Sequence, residues 1–400
     1  MKTLTKTILV VCLAVWTLPA SAAEVPDVVR VLFDSWKTRL PAEPTYESIK
    51  DDGSGNISIS KLKLEQAAAG GTTGMTLTID EIRLQTVNER GNGIYEVGDA
   101  SFAGSKMAIV DSAGTLFSVT VPKGTAAGWY LKDIGDTPAP MEAYRASTTI
   151  ARKMSSGPMA IEVRGHTITV DGYNSTWDGD PETGAGRFTA KLANVVIPET
   201  ALAQFDTAGT LKQLGYSDIA FDITGDGEMK VADNKVGLDI TVAYIGKDMG
   251  VVSLSADVSD IPVAALTENL EARTAGRIPD YTALMPELQN VSVSGLSFRF
   301  EDNSITRKLL PMIAALQGLD EATMKASAGA MLQLSLMQLG NQAFTDQAVG
   351  AVNSFLKDPR SITLEIKPPA PIKVEELMML NPATPGEAID KLGVSVSAND

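Results

Sequence analysis

Ile57-Ser58-Ile59-Ser60-Lys61-Leu62-Lys63-Leu64 alternates apolar and polar residues over eight positions. Period two is the mark of a strand with one face against apolar surroundings and the other in water. The same habit runs outward from this stretch. Met75 to Ile79 continues through Ile82-Arg83-Leu84, and Phe117 to Val121, Ile161 to Val163 and Thr167 to Val170 follow. Arg187 to Ile197, Gly237 to Ala243 and Val251 to Val258 repeat it. Turn residues stand between these segments: Asp52-Gly53-Ser54-Gly55, Gly91-Asn92-Gly93, Asp178-Gly179-Asp180-Pro181 and Gly225-Asp226-Gly227. Outward-facing Ser, Thr, Lys and Asp favour antiparallel pairing over a parallel sheet buried on both faces. Without regular alternation of helix and strand, a doubly wound α/β fold does not fit. The pattern predicts a β-rich α+β chain. Its core element is a long, curved antiparallel sheet of hairpins, about ten to fourteen strands between Tyr46 and Asp260, with a helical subdomain at the C-terminal end.

An internal echo accompanies the alternation. Ile57 to Leu64 (ISISKLKL), Leu77 to Leu84 (LTIDEIRL) and Val291 to Phe298 (VSVSGLSF) each hold an apolar-x-apolar pair, intervening residues, then a second such pair. A repeated meander unit would produce this, and so would the general likeness of amphipathic strands.

Length and charge set outer bounds. The chain has 400 residues, 44% of them apolar, enough for one large or two modest cores. With 34 basic and 49 acidic residues the charge is −15, which opposes binding to nucleic-acid phosphates. Met1 to Ala22 has Lys2 and Lys6, an apolar run from Ile8 to Leu18, Pro19 and the small residues Ala20-Ser21-Ala22. That order predicts a secretory leader, with a periplasmic destination. Val11 before Cys12, and the position of Cys12 inside the run, do not suit lipidation. Cleavage would remove two basic residues and no acid, leaving 32 against 49, a charge of −17 and no cysteine for a disulfide. No later stretch has the apolar length of a membrane span.

Four segments result. Residues 1–22 form the leader, and 23–44 hold an amphipathic helix with Val28, Val29, Val31, Leu32 and Trp36 on one face. Residues 45–290 are β-rich, and 291–400 carry a strand, three helices and terminal strands. The first helix packs on the body or lies on a membrane surface, where only Arg30, Lys37 and Arg39 would supply positive charge. Ile305 to Gln317, Ala322 to Leu339 and Ala343 to Leu356 are helical, with Asp320 as an N-cap and Gly340-Asn341 as a stop.

Chemistry-bearing motifs are sparse. Ser58 to Lys61 matches S-x-x-K, but that chemistry needs a helix and these residues alternate as a strand. Lys50 to Lys61 imitates a calcium loop with lysine at both positions that need acidic donors. Asp178, Asp180 and Glu182, like Asp222, Asp226 and Glu228, read as solvated acidic turns or weak calcium sites. His166, the single histidine, cannot make a zinc site without cysteine partners. No cofactor or metal is expected, and no catalytic residue is nominated; carboxylate-pair hydrolysis is the remaining enzymatic alternative. Met312, Met324, Met331 and Met337 are the candidate ligand contacts, because methionine suits adaptable apolar surfaces. They fill a helical core otherwise.

Leu211 to Pro262, with Leu214-Gly215-Tyr216 and Asp248-Met249-Gly250, and Leu296 to Val374, with Ser297 to Ser304 and Phe355 to Pro359, carry a resemblance. These passages resemble alphaproteobacterial periplasmic families of unknown function and are more distantly similar to YdgA-like and AsmA-like envelope proteins. The resemblance implies an elongated, curved sheet with an apolar groove, and it transfers no functional residue. The expected function is non-enzymatic binding of lipid or another apolar ligand in the periplasm. A structural or assembly partner of envelope proteins is the alternative.

Overall fold

A computed structural model describes residues 25–37, 40, 42–66, 74–111, 114–133, 135, 140–147, 150–203, 206–274, 278–381 and 383–400. The leader lies outside the described residues. Helix α1 (Asp27–Lys37) precedes five strands, β1 (Ser48–Asp51), β2 (Ile57–Gln66), β3 (Gly74–Gly91), β4 (Ile94–Asp111) and β5 (Gly114–Lys132). Helix α2 (Pro140–Ser147) leads to β6 (Ile150–Ser156), β7 (Met159–Val163), β8 (His166–Val170), β9 (Gly172–Gly179) and β10 (Gly186–Ile197). The single turns α3 (Glu199–Leu202) and α4 (Thr210–Gln213) come before β11 (Ile219–Ala232), β12 (Lys235–Gly246) and β13 (Gly250–Pro262). After α5 (Val263–Thr274) and the short α6 (Met285–Leu288), β14 (Ser292–Asp302) meets the helices α7 (Ile305–Leu316), α8 (Glu321–Met337) and α9 (Gln342–Lys357). The chain closes with β15 (Ser361–Ile366), β16 (Ile372–Lys373), α10 (Val374–Met378), α11 (Pro385–Leu392) and β17 (Val394–Ala398).

These seventeen strands form one antiparallel sheet. Strands β1 to β5 pair in sequence. Strands β6 and β7 share the far edge of β5, and β9 and β8 continue them onto β10. From β10 to β14 the order is again sequential, and β15 and β16 share β14 before β17 closes the sheet. The long antiparallel sheet and the C-terminal helices match the sequence reading. The thirteen described strands β1 to β13 fall within the ten to fourteen expected between Tyr46 and Asp260, and β14 to β17 follow them. Two helices read as neither, α2 and α5, interrupt the β region.

Alternation does not run unbroken through β2. Ile57 and Ile59 are buried, and so are Leu62 and Leu64, so the pleat slips by one at Lys61, whose φ is +52°. On β3, Ile79 and Ile82 are both buried on either side of Asp80, which binds the Lys61 ammonium at 2.7 Å. On β4 the same line reaches Gly104, at φ +62°, where a Cβ would lie 2.0 Å from Asp80 Oδ2. A second line crosses Thr86 (φ +55°), Gly98 and Gly128 (φ +57°); Leu84 and Val87, Ala100 and Val97, and Ala126 and Trp129 flank it, all against one core. A left-handed residue inside a strand turns the next pleat over, so both halves present apolar side chains to the same side. That is the meaning of the echo in ISISKLKL; in LTIDEIRL, which has no residue of positive φ, the pairing skips Asp80 between Lys61 and Gly104 on the neighbouring strands. In VSVSGLSF an ordinary bulge does the same work, since Val293 pairs with Val258 but Gly295 with Asp257.

Helix α1 covers this core. Val28, Val29, Val31, Leu32 and Phe33 are buried against β2 to β5, and Arg30 ties the helix down through Asp133 at 2.7 Å. The first helix therefore packs on the body. At the other end, Asp320 accepts the Thr323 N–H at 2.9 Å and caps α8. Asn341 is an N-cap rather than a stop: its Oδ1 accepts the Phe344 N–H at 2.9 Å and opens α9. Gly340, at φ +69°, is the residue that ends the preceding turn.

Candidate functional site: an apolar trough across the sheet

Residues directly opposite in antiparallel strands point to the same face. Following that rule from strand to strand, Ile57 faces Leu84, Ala100, Ala126, Met154 and Ser175 in turn. The row continues through Ala190, Gly225, Val242, Leu254, Phe298, Leu364 and Val396. A parallel row two residues away runs Phe102, Gly124, Ser156, Tyr173, Leu192, Ile223, Tyr244, Val252 and Phe300. Neither row contains a charged residue. The adjacent row on the opposite face is polar: Asp99, Ala127, Lys153, Thr176, Thr189, Asp226, Thr241, Ser255, Ser297 and Glu365. Alternation kept in register across the strands these rows cross makes a sheet with one oily and one wet face.

Helix α1 covers the apolar face at its beginning, and α9 covers its far corner through Phe355 against Phe300, ring centroids 6.1 Å apart. Between them the face is open, and two troughs of about 460 Å³ each lie there. The first is lined by Trp36, Ile79, Phe102, Met154, Tyr173 and Leu192 among others. Val242, Tyr244, Leu254, Leu296, Phe298 and Leu364 line the second. Ser175, Ala190 and Gly225 join the two as a low floor, and a Cβ on Gly225 would meet nothing closer than Thr241 O at 3.9 Å. In the second trough Tyr244, Leu254, Leu296, Phe298 and Leu364 are each 40–46% exposed. Completing their burial is worth about 1 kcal/mol apiece, so an apolar occupant has several kcal/mol to gain.

The four methionines nominated from sequence do not line either trough. Met324 is buried with Leu310, Ala314 and Leu356 in the core of the helical subdomain. Met312 is half-buried on α7, and Met331 and Met337 are exposed on α8. The sheet residues that do line the troughs carry no special sequence signal, because a strand facing an open trough alternates just as one facing a packed core.

Other motifs find structural employment. Ser58 to Lys61 lies in β2, with Lys61 held by Asp80. Asp52 accepts bonds from Asn56, chiefly, and Ser54 within its own turn, which hold its carboxyl far below the usual range. Asp180 accepts the Glu182 N–H and the Thr183 hydroxyl in the turn after β9. Asp222 is lowered first by the Asn194 N–H at 2.7 Å and then by Lys191. Burial pushes the Arg145 guanidinium down to about 10, and its Nε donates to Pro181 O at 2.8 Å. His166 follows the Arg164-Gly165 hairpin turn, where both residues have positive φ. Among the described residues no three His, Cys, Asp or Glu side chains gather as a metal would need, and no helix is long and apolar enough to cross a membrane.

No curated protein matches the chain. A protein-family model described as an uncharacterized protein matches residues 243–399. The matched stretch contains Tyr244, Leu254, Leu296, Phe298 and Leu364 of the second trough, together with α7 to α9, and leaves the first trough outside it.

Proposed function

We propose that this chain is an exported, non-enzymatic binding protein of the cell envelope that holds a lipid acyl chain or similar apolar ligand in its trough. The supporting observation is the uncharged row from Met154 to Leu364, left open between α1 and α9. It crosses eight strands, and seven spacings of about 4.8 Å give roughly 34 Å. That exceeds the length of an acyl chain in one leaflet, about 15 Å or half of a bilayer core. Periplasmic residence belongs to this reading through the leader at Met1 to Ala22, and the resemblance to AsmA-like envelope proteins agrees with it.

Native mass spectrometry of protein purified from the periplasm tests the proposal. A co-purifying lipid mass is expected, and it should diminish in Leu254→Asp/Phe298→Asp, whose side chains are exposed enough to change without loss of the core. A clean unliganded mass, together with no uptake of added fatty acid, would defeat it. A second reading, an assembly partner of envelope proteins, draws on Met331, Leu334 and Met337, which are 57–68% exposed along α8. Crosslinking in cells from positions on α8 separates the two.

A further inference from the structure

The first trough straddles the line of slipped pleats formed by Lys61, Asp80 and Gly104. Its wall residues Ile79, Ser105 and Val121 lie on one side of that line, and Phe102 and Gly124 on the other. Val121 pairs with Ser105, and Gly124 with Phe102, three positions away in each strand. In an unbroken pleat an odd separation sends the two sets to opposite faces. Here they line one cavity, because the chain turns over between them at Gly104. Two facts make Gly104 the residue on which that turn depends. Its φ of +62° disfavours a side chain, and a Cβ there would stand 2.0 Å from Asp80 Oδ2 and 2.6 Å from Asp80 Cγ. Asp80 in turn reaches outward to Lys61, the residue at φ +52° on the next strand.

We infer that this crease makes the first trough, and that Gly104, with Asp80 opposite it, is the positioning residue that sets whether the trough admits an apolar chain. The inference rests on the proposed ligand binding for its affinity arm only. The probe is an 18-carbon conjugated polyene fatty acid, whose fluorescence rises in apolar surroundings and which accepts energy from Trp36 in the trough wall. Gly104→Ala should weaken the Trp36-sensitised signal roughly tenfold in probe concentration, while a Leu254→Asp/Phe298→Asp background isolates the first trough. Adding Asp80→Gly to Gly104→Ala removes the clash and should bring affinity back to within about threefold of the parent. Purely structural damage would not be repaired by that second change. If Gly104→Ala alone does not fold, recovery of folding, probe affinity and label distance in the double variant carries the test, and no recovery overturns the inference.

A ligand-free arm measures the crease directly. The only cysteine lies in the leader, so spin labels at Lys63→Cys and Gln85→Cys, exposed on either side of the crease, report its angle by pulsed dipolar spectroscopy. The distance should shift or broaden in Gly104→Ala and return in the double variant. Unchanged probe affinity or an unchanged distance in Gly104→Ala would overturn the inference. Failure of the parent to bind any probe would overturn the proposed function instead and leave the distance to decide the crease.

Discussion

Valine is among the best strand formers, and Lys61 sits in the middle of a ten-residue strand with its side chain in water. On a regular pleat, Lys61→Val would be neutral or stabilising and Lys61→Gly destabilising. The φ of +52° at this position reverses that order. A left-handed L-residue costs roughly 1–2 kcal/mol, and a β-branched one more, whereas glycine takes the conformation freely. Both variants lose the same ion pair to Asp80, at 2.7 Å with each side chain 60–62% exposed, so that water-screened loss cancels between them. Lys61→Gly should therefore be more stable than Lys61→Val by about 2 kcal/mol, with Lys61→Asn between. Urea unfolding followed by tryptophan fluorescence measures it, with equal slopes showing that the variants expose the same surface on unfolding. If the valine variant equals or exceeds the glycine variant, the pleat does not slip at Lys61 and the account of ISISKLKL fails.

Two further predictions concern charge. Glu228, Asp239 and Asp257 lie directly opposite one another on β11, β12 and β13, and like charges in such positions repel. Asp239→Asn should raise stability by roughly 0.2–1 kcal/mol in low salt, with the gain fading as salt is added; a loss in calorimetry at low salt would contradict this. The Arg30 hydrogen bond, chiefly, holds the Asp133 carboxyl below the ordinary range. A depressed folded value means that this contribution is intact above the unfolded value of about 4 and vanishes as pH falls through the folded one. Wild-type unfolding midpoints should thus drop toward those of Asp133→Asn below about pH 4, and a gap that widened on acidification would refute the assignment.

Much of this architecture is legible in the sequence for one reason: period two survives wherever a strand has one wet face. The polar row through Thr176, Thr189, Thr241 and Ser255 and the apolar row through Val242, Leu254 and Phe298 are the same alternation seen from two sides. Helices α7 to α9 are legible because Asp320 and the Gly340-Asn341 pair punctuate them. The creases are not, since Lys61 and Thr86 carry no mark of positive φ, and Gly104 and Gly128 are two among 34 glycines. The site is not legible either. Methionine draws the eye to α8 as an adaptable surface, yet Leu254 and Phe298 differ in no way, as letters, from residues under a helix. Whether a strand's apolar face is covered depends on where distant helices land, and α1 and α9 land at the two ends.

An open apolar face of this size would ordinarily invite self-association, and the rest of the molecule is arranged against it. Edge strands are the usual route to sheet-on-sheet growth. Here β1 has four residues and β17 five, and Asn399, just past β17, donates to Ser354 O of α9 at 3.1 Å. The outer face carries the carboxylates of Asp226, Glu228, Asp239 and Asp257, and a charge of −15 keeps copies apart. What remains accessible is a narrow row without a charged residue, too poorly edged to recruit a strand. A second sheet finds little to extend there, whereas the proposed occupant, a hydrocarbon chain lying across the strands with its polar end in water, needs no edge to pair with.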